Sequence, residues 1–245
     1  MDRQLISHLA HADHPIAAPI SEEHLDRLLR RVKPPEGARI LDLGCGAGFW
    51  LIRLLELYGG ATADGVDISQ PALDAARAAA TEKGVSERLG LHLVSATDFS
   101  AAEPYDLVLC VGSTHAFGGL TPTLEQMKSF LRPGGLALVG EGFYEREPSD
   151  ELRADVGEYE DLARTVARAE SSGFRTIHAH TSEPGEWDEY EWSWTGSLLR
   201  WALAHPGPDG DQARAAALEH RGLWLNGYRG VLGFVTLLLA ADVVE

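Results

Sequence analysis

Three glycines and two carboxylates carry the first chemical signal in this chain. Gly44, Gly46 and Gly48 follow an apolar run ending in Leu41-Asp42-Leu43, and Asp67 stands about 20 residues beyond them. Glycine lacks a Cβ, so such a turn takes φ > 0 and its backbone approaches a ligand closely. A strand, a glycine turn and a helix start, in that order, aim N–H groups and a helix N-terminus at the carboxyl edge of a parallel sheet. Open α/β sheets bind nucleotides at that edge. An acid at the tip of the next strand, the position of Asp67, accepts hydrogen bonds from ribose hydroxyls. Its alternative role is a helix cap, but Ser69 suits the cap better, with Pro71 early in the following helix.

A second polar group lies further on, in Gly112-Ser113-Thr114-His115-Ala116-Phe117-Gly118-Gly119. His115 is the side chain there best suited to take a proton near neutral pH. Its other readings are packing against a bound ligand or capping the next helix. Glu141 ends a later strand at the same edge, either to orient a substrate amine or hydroxyl or as a salt-bridged loop acid. His8, His11 and His14 recur every third residue, yet no acidic or cysteine partner stands at ligand spacing and Pro15 breaks the helix. No metal is expected.

Periodicity supplies the elements that must hold these residues. Residues 2–33 predict two helices, broken at His14-Pro15 and Pro19 and stopped by Pro34-Pro35. Strands follow at 38–43, 61–68, 89–94, 105–111 and 136–141, with helices at 47–58, 70–83 and 121–131 between them. The run at 105–111 is apolar throughout, as in a central strand covered on both faces. Arg132-Pro133-Gly134-Gly135 turns into the fifth strand. A helix at 159–172 and a sixth strand at 175–181 come next. Two helices rich in aromatic residues then interrupt the pattern over 186–229, parted by His205-Pro206-Gly207-Pro208. A seventh strand at 231–240 closes it. Trp187, Tyr190, Trp194 and Tyr228 in this insertion, with Tyr144 just after the fifth strand, are candidates to line an apolar substrate pocket; core packing is the other use for such residues.

The segment Leu41-Asp42-Leu43-Gly44-Cys45-Gly46-Ala47-Gly48 resembles the first motif of class I S-adenosylmethionine-dependent methyltransferases. Dinucleotide dehydrogenases space the third glycine one residue further on and lack an acid at the place of Asp42. The Asp67 position resembles that family's second motif, and the turn at Arg132-Pro133-Gly134-Gly135 recurs in it. The stretches from Cys110 to Gly119 and Trp187-Asp188-Glu189-Tyr190-Glu191 also look like a small-molecule bacterial subgroup.

The resemblance implies an α/β fold: a Rossmann-like seven-stranded sheet, mostly parallel with an antiparallel last strand at its edge, and helices on both faces. It implies one domain over 1–245, with 1–35 as a helical lid and 186–229 as a helical insertion. S-adenosyl-L-methionine would be the cofactor. Asp42 and the 44–48 loop, Cys45 included, would hold its amino-acid end, and Asp67 and Ile68 its ribose side. Ala96, Thr97 and Asp98, together with Val111, would lie along the nucleoside. The family often carries an acid where this chain has Ser95; here the acid comes later, at Asp98, so adenine recognition rests on backbone with Asp98 or on backbone alone. The implied reaction moves a methyl group to an oxygen or nitrogen of a small molecule, with His115 or Glu141 in attendance. A cofactor-binding sensor without catalysis is the rival reading, and a nicotinamide oxidoreductase a third. No Asn-Pro-Pro-Tyr-like motif follows the fourth strand, which disfavours amide or exocyclic base nitrogens.

Composition narrows the partners. The 245 residues carry a formal net charge of −16, a surface that repels phosphate backbones and argues against nucleic acid. The two cysteines, Cys45 and Cys110, suggest no disulfide framework and fit a reducing cytoplasm. No secretory leader is recognisable, and the apolar stretch at 230–244, broken by Thr236 and Asp242, is too short to span a membrane. The oligomeric state is not set by anything in the sequence.

Overall fold

A computed structural model describes residues 1–242. The end of the apolar stretch at 230–244 therefore lies outside the described residues. Five strands run parallel: β1 (Arg39–Leu43), β2 (Thr62–Asp67), β3 (Leu89–Leu93), β4 (Tyr105–Val111) and β5 (Leu131–Tyr144). With β6 (Phe174–Thr181) and β7 (Leu232–Ala241) they form one sheet in the order β3-β2-β1-β4-β5-β7-β6. Only β7 is antiparallel to its neighbours, β5 and β6. The seven-stranded, mostly parallel sheet expected from the resemblance is the one observed.

One expectation needs correction. The seventh strand is not at the sheet edge; it is inserted between β5 and β6. Val235, Thr236, Leu237, Leu238 and Leu239 are all fully buried, so both faces of this strand are covered, as an interior position requires. The edge strand is β6, which carries a bulge between Thr176 and His178 and leaves Ile177 exposed.

Alternation along the strands divides the core. Ile40, Leu107, Leu109 and Leu138 face one layer with α2 (Glu22–Leu29), α3 (Phe49–Leu57) and α4 (Gln70–Glu82). Leu41, Leu43, Val108, Cys110 and Val139 face the other with α5 (Leu120–Phe130) and α7 (Leu162–Ser171). A third cluster joins α1 (Arg3–Ala10), α8 (Pro184–Ala204) and α9 (Pro208–Leu223) away from the sheet. A short helix, α6 (Asp150–Val156), was not foreseen. Ser149 caps it, accepting from Leu152 N–H, and Leu152 buries against Trp224 and Tyr228.

Local signals explain the helix starts. Ser21 and Ser69 cap α2 and α4, each hydroxyl accepting an N–H of the first turn. The indole N–H of Trp50, on α3, donates to Ile16 O at 2.9 Å, which ties the linker between α1 and α2 down onto the sheet layer.

Candidate active site

The β1 strand delivers Asp42 and Leu43 to a loop that is held open by hydrogen bonds to the next strand. Gly44 N–H and Cys45 N–H both donate to Val66 O, at 2.8 and 3.0 Å. Gly46 N–H donates to Asp67 Oδ2 at 2.8 Å, and Ser69 N–H donates to Asp67 Oδ1 at 2.8 Å. Gly44, at φ +90°, has no room for a Cβ, which would sit on the Ser113 hydroxyl. The cradle is thus pressed against the loop after β4, and a larger residue would push the two apart.

This loop opens onto a cavity of about 960 Å³. Gly44, Gly46, Asp67, Ile68, Ala96 and His115 line it from the sheet edge, and Arg3, Ser7 and His11 line it from α1. Ile68 is 58% exposed, an apolar side chain left uncovered beside Asp67. Asp42 lies beneath the floor, 3% exposed, with Oδ1 lacking any hydrogen-bond partner. Burial and then the nearby Asp67 charge push the Asp42 carboxyl up to about 7. A buried carboxyl left this way, below the glycine loop, suits a ligand that carries a cationic group.

The other residues expected along the cofactor are distributed differently. Cys45 is buried under the loop, and the same burial raises its thiol. Thr97 and Asp98 do not line the cavity. Ser95 gathers them into a turn, its hydroxyl bonded to Thr97 Oγ1 at 2.7 Å and its carbonyl accepting Asp98 N–H at 2.9 Å. Val111 is half-buried at the end of β4, packed against the core. Ser113, from the polar turn after β4, does line the cavity.

A second cavity, of about 720 Å³, lies beyond the turn that follows β4. His115 and Glu141 both line it, and His115 lines the first cavity as well. His115 sits in a one-turn 3₁₀ helix, Thr114–Phe117, with Gly118 at φ +88° and Gly119 at φ +112° behind it. Glu141 is 7% exposed; Oε1 accepts Gly142 N–H at 3.0 Å and Oε2 has no partner. Burial raises its carboxyl above the ordinary carboxylate range. Thr121, which also lines this cavity, has a second buried oxygen without a partner. Tyr159 forms part of the far wall, and a Cβ on Gly142 would meet its ring at 2.9 Å. The glycine after Glu141 signals this close approach, but the identity of the approaching ring is not readable from local sequence.

The aromatic candidates lie outside both cavities. Tyr144 turns its hydroxyl to Gly157 O, at 2.6 Å, and so braces the loop that walls the second cavity. Trp187 packs edge-on against Tyr190, Tyr228 and Phe234. Tyr190 bonds His11 Nε2 at 3.0 Å, joining α8 to α1. Trp194 stacks on His220 at 4.0 Å, and Tyr228, at the end of the π-helical turn Trp224–Tyr228, donates to buried Glu191 at 2.6 Å.

Residues 40–135 match the model of a family described as "Methyltransferase domain". An uncharacterized protein of Escherichia coli, YjhP, is 31% identical over 215 residues, which cover 85% of this chain and 86% of that one. The chain belongs to the class I S-adenosylmethionine-dependent methyltransferases. A crystal structure of an S-adenosylmethionine-dependent methyltransferase from Geobacter sulfurreducens, in complex with S-adenosyl-L-homocysteine, matches with a TM-score of 0.90 at 26% identity over 99% of both chains. A ubiquinone biosynthesis O-methyltransferase of Chelativorans sp. is 34% identical over 116 residues, and the chain spans only 45% of its length. S-adenosylmethionine is the cofactor of this methyltransferase. The partnerless Asp42 oxygen, the Gly44 cradle and the exposed Ile68 beside Asp67 all fit that group. Among the described residues of the methyltransferase, no helix is long and apolar enough to cross a membrane.

Proposed function

We propose that the methyltransferase binds S-adenosylmethionine in the larger cavity and seats a small-molecule acceptor in the smaller one, with transfer at the His115 turn between them. The observation that carries this reading is that His115 lines both cavities. When bound, the cofactor supplies a methyl group already activated on a sulfonium, so the chain has to position, exclude water and manage one proton.

The 44–48 loop, through Ala47 N–H, and the Asp42 carboxylate would hold the amino-acid end, Asp67 would hold the ribose, and Ile68 and Ala96 would cover the adenine. Thr97 and Asp98 support that wall from outside the cavity. The acceptor is a hydroxyl or an amine. The proton of that hydroxyl or amine would pass to the His115 imidazole. Glu141, its carboxyl raised by burial, would orient the acceptor from the wall of the smaller cavity. The names of the O-methyltransferases among the relatives support an oxygen acceptor and a small molecule, and the net charge of −16 argues against nucleic acid. The helices in 1–35 act as the lid and 186–229 as their support. The two buried free cysteines fit a cytoplasmic enzyme.

The test is turnover with S-adenosylmethionine across a panel of phenols, carboxylic acids and amines, read as S-adenosylhomocysteine release. His115→Ala should lower kcat about 10²-fold or more while cofactor affinity by calorimetry stays within about twofold. Normal turnover in that variant removes the proton-acceptor role. Tight cofactor binding with no turnover on any acceptor would favour the sensor reading.

A further inference from the structure

Away from both cavities, three chain segments bring metal-binding atoms together. His24 comes from the first turn of α2, His180 from the end of β6 and Glu186 from the first turn of α8. His24 Nδ1 lies 2.8 Å from Glu186 Oε1, and His180 Nε2 lies 2.8 Å from Glu186 Oε2. The two imidazole rings face each other with centroids 4.7 Å apart. The three candidate ligand atoms all fall within 4.8 Å of one another.

We propose that His24, His180 and Glu186 form a structural binding site for a divalent transition-metal cation of the Zn²⁺ class, which fastens α2 to the edge strand and to α8.

Two imidazoles and one carboxylate are a ligand set such cations favour, at about 2.0–2.2 Å from each atom. Reaching that geometry requires the two N···O contacts to open by about half an ångström and the two ring nitrogens to draw together, each imidazole presenting an unprotonated nitrogen to the ion. The carboxylate is fixed independently of the imidazoles. Ser21 N–H donates to Oε1 at 2.7 Å and Glu183 N–H donates to Oε2 at 2.9 Å, the kind of outer hydrogen bonding that orients a ligand. His24 and His180 keep 20% and 15% of their side-chain surface in solvent, which gives an ion a way in and leaves room for a water as the fourth ligand. No spacing in the sequence reveals the set, because His24 precedes the other two by more than 150 residues and meets them only through the fold.

The site also has a reason to be there. Glu22, Leu25 and Asp26 of α2 line the cofactor cavity. A cation at the start of α2 would hold that wall in place without touching the reaction.

The experiment uses the full chain, stripped with a chelator and titrated with ZnCl₂ by calorimetry and with CoCl₂ by visible absorption. One equivalent should bind. Co²⁺ should give the visible bands of a four- or five-coordinate site, and saturating Zn²⁺ should raise Tm by about 5–11 °C, as roughly 100 Kd of ligand does for a domain of this size. His180→Asn and His24→Asn keep a side-chain N–H for Glu186 and remove the imidazole ligand. Each should weaken Zn²⁺ binding at least about 10-fold and abolish the Co²⁺ bands while leaving the metal-free Tm within a few degrees. His8→Ala with His14→Ala should change none of this. Absence of a stoichiometric Co²⁺ spectrum, or Zn²⁺ binding unaltered in the His24→Asn, His180→Asn double variant, would overturn the site and leave the three residues as a hydrogen-bonded clamp. The cofactor assignment is read separately, from S-adenosylhomocysteine affinity in the same variants.

Discussion

The two ends of the sheet treat their acids in opposite ways. At the amino end Asp106, 5% exposed, accepts Arg39 N–H at 2.8 Å and pairs with Arg132 at 2.7 Å. Nearby Asp64 accepts from the Tyr105 hydroxyl at 2.9 Å and contacts His92 at 2.8 Å. At the carboxyl end Asp42 and Glu141 are equally buried, yet each keeps an oxygen with no partner, and both carboxyls are raised by burial. Acids satisfied within the fold secure it; acids left wanting are held ready for something that arrives later. On the proposed function, the methyltransferase carries its stability at one end of the strands and its chemistry at the other.

That contrast can be broken by substitution, and the largest effect is expected at the cradle. Gly44→Ala forces a Cβ into the Ser113 hydroxyl at a φ of +90°. Cofactor affinity should fall by about 100-fold or more, with a loss of about 1–3 kcal/mol in stability; calorimetry and thermal denaturation read the two separately. Asp67→Ala removes the acceptor for Gly46 N–H and for the ribose, and should raise the cofactor Kd by about 10–100-fold.

At the opposite end, Asp106→Ala should cost about 2–4 kcal/mol in denaturant unfolding because Arg39 N–H and Arg132 lose their partner. Cofactor affinity should stay within about twofold. An equal loss of both would erase the distinction between the two ends.

Asp42 gives the pH dependence. Its carboxyl is raised to about 7 in the fold, so the folded state holds a proton that the unfolded chain releases near its ordinary value. Stability from this group is complete below about pH 4 and is lost as pH rises toward 7, by at most about 4 kcal/mol. Asp42→Asn should flatten that slope and stabilise the protein at pH 8, while weakening cofactor binding. In the parent protein, S-adenosylhomocysteine affinity should rise between pH 5.5 and 7 as the carboxyl ionises for its cationic partner. Measured Kd values that do not vary over that interval would detach Asp42 from the ligand.

Much of this was legible beforehand, and the reason is local. The strand ending in Leu41-Asp42-Leu43, the glycines of the cradle and Asp67 lie within one β-α-β unit, where spacing alone dictates which atoms meet. The burial of β4 and the cap at Ser69 follow from equally local signals. What failed or stayed hidden depends on distance along the chain. The interior place of β7 requires knowing that β6 passes outside it. Tyr159 reaches the second cavity from the loop before α7, and the aromatic residues of 186–229 bury against α1 and each other, because a run of large apolar rings reads the same whether it lines a pocket or fills a core.

The shared wall at His115 has a consequence for how such a protein changes over time. On the proposed function, the donor chamber is built by residues that precede position 117, whereas most of the acceptor chamber comes from 118–168, with the segment at 156–160 forming its far side. Rewriting that short segment would retune which molecule is methylated and leave the grip on the donor intact. On that reading, an engineer seeking a new acceptor would graft there first.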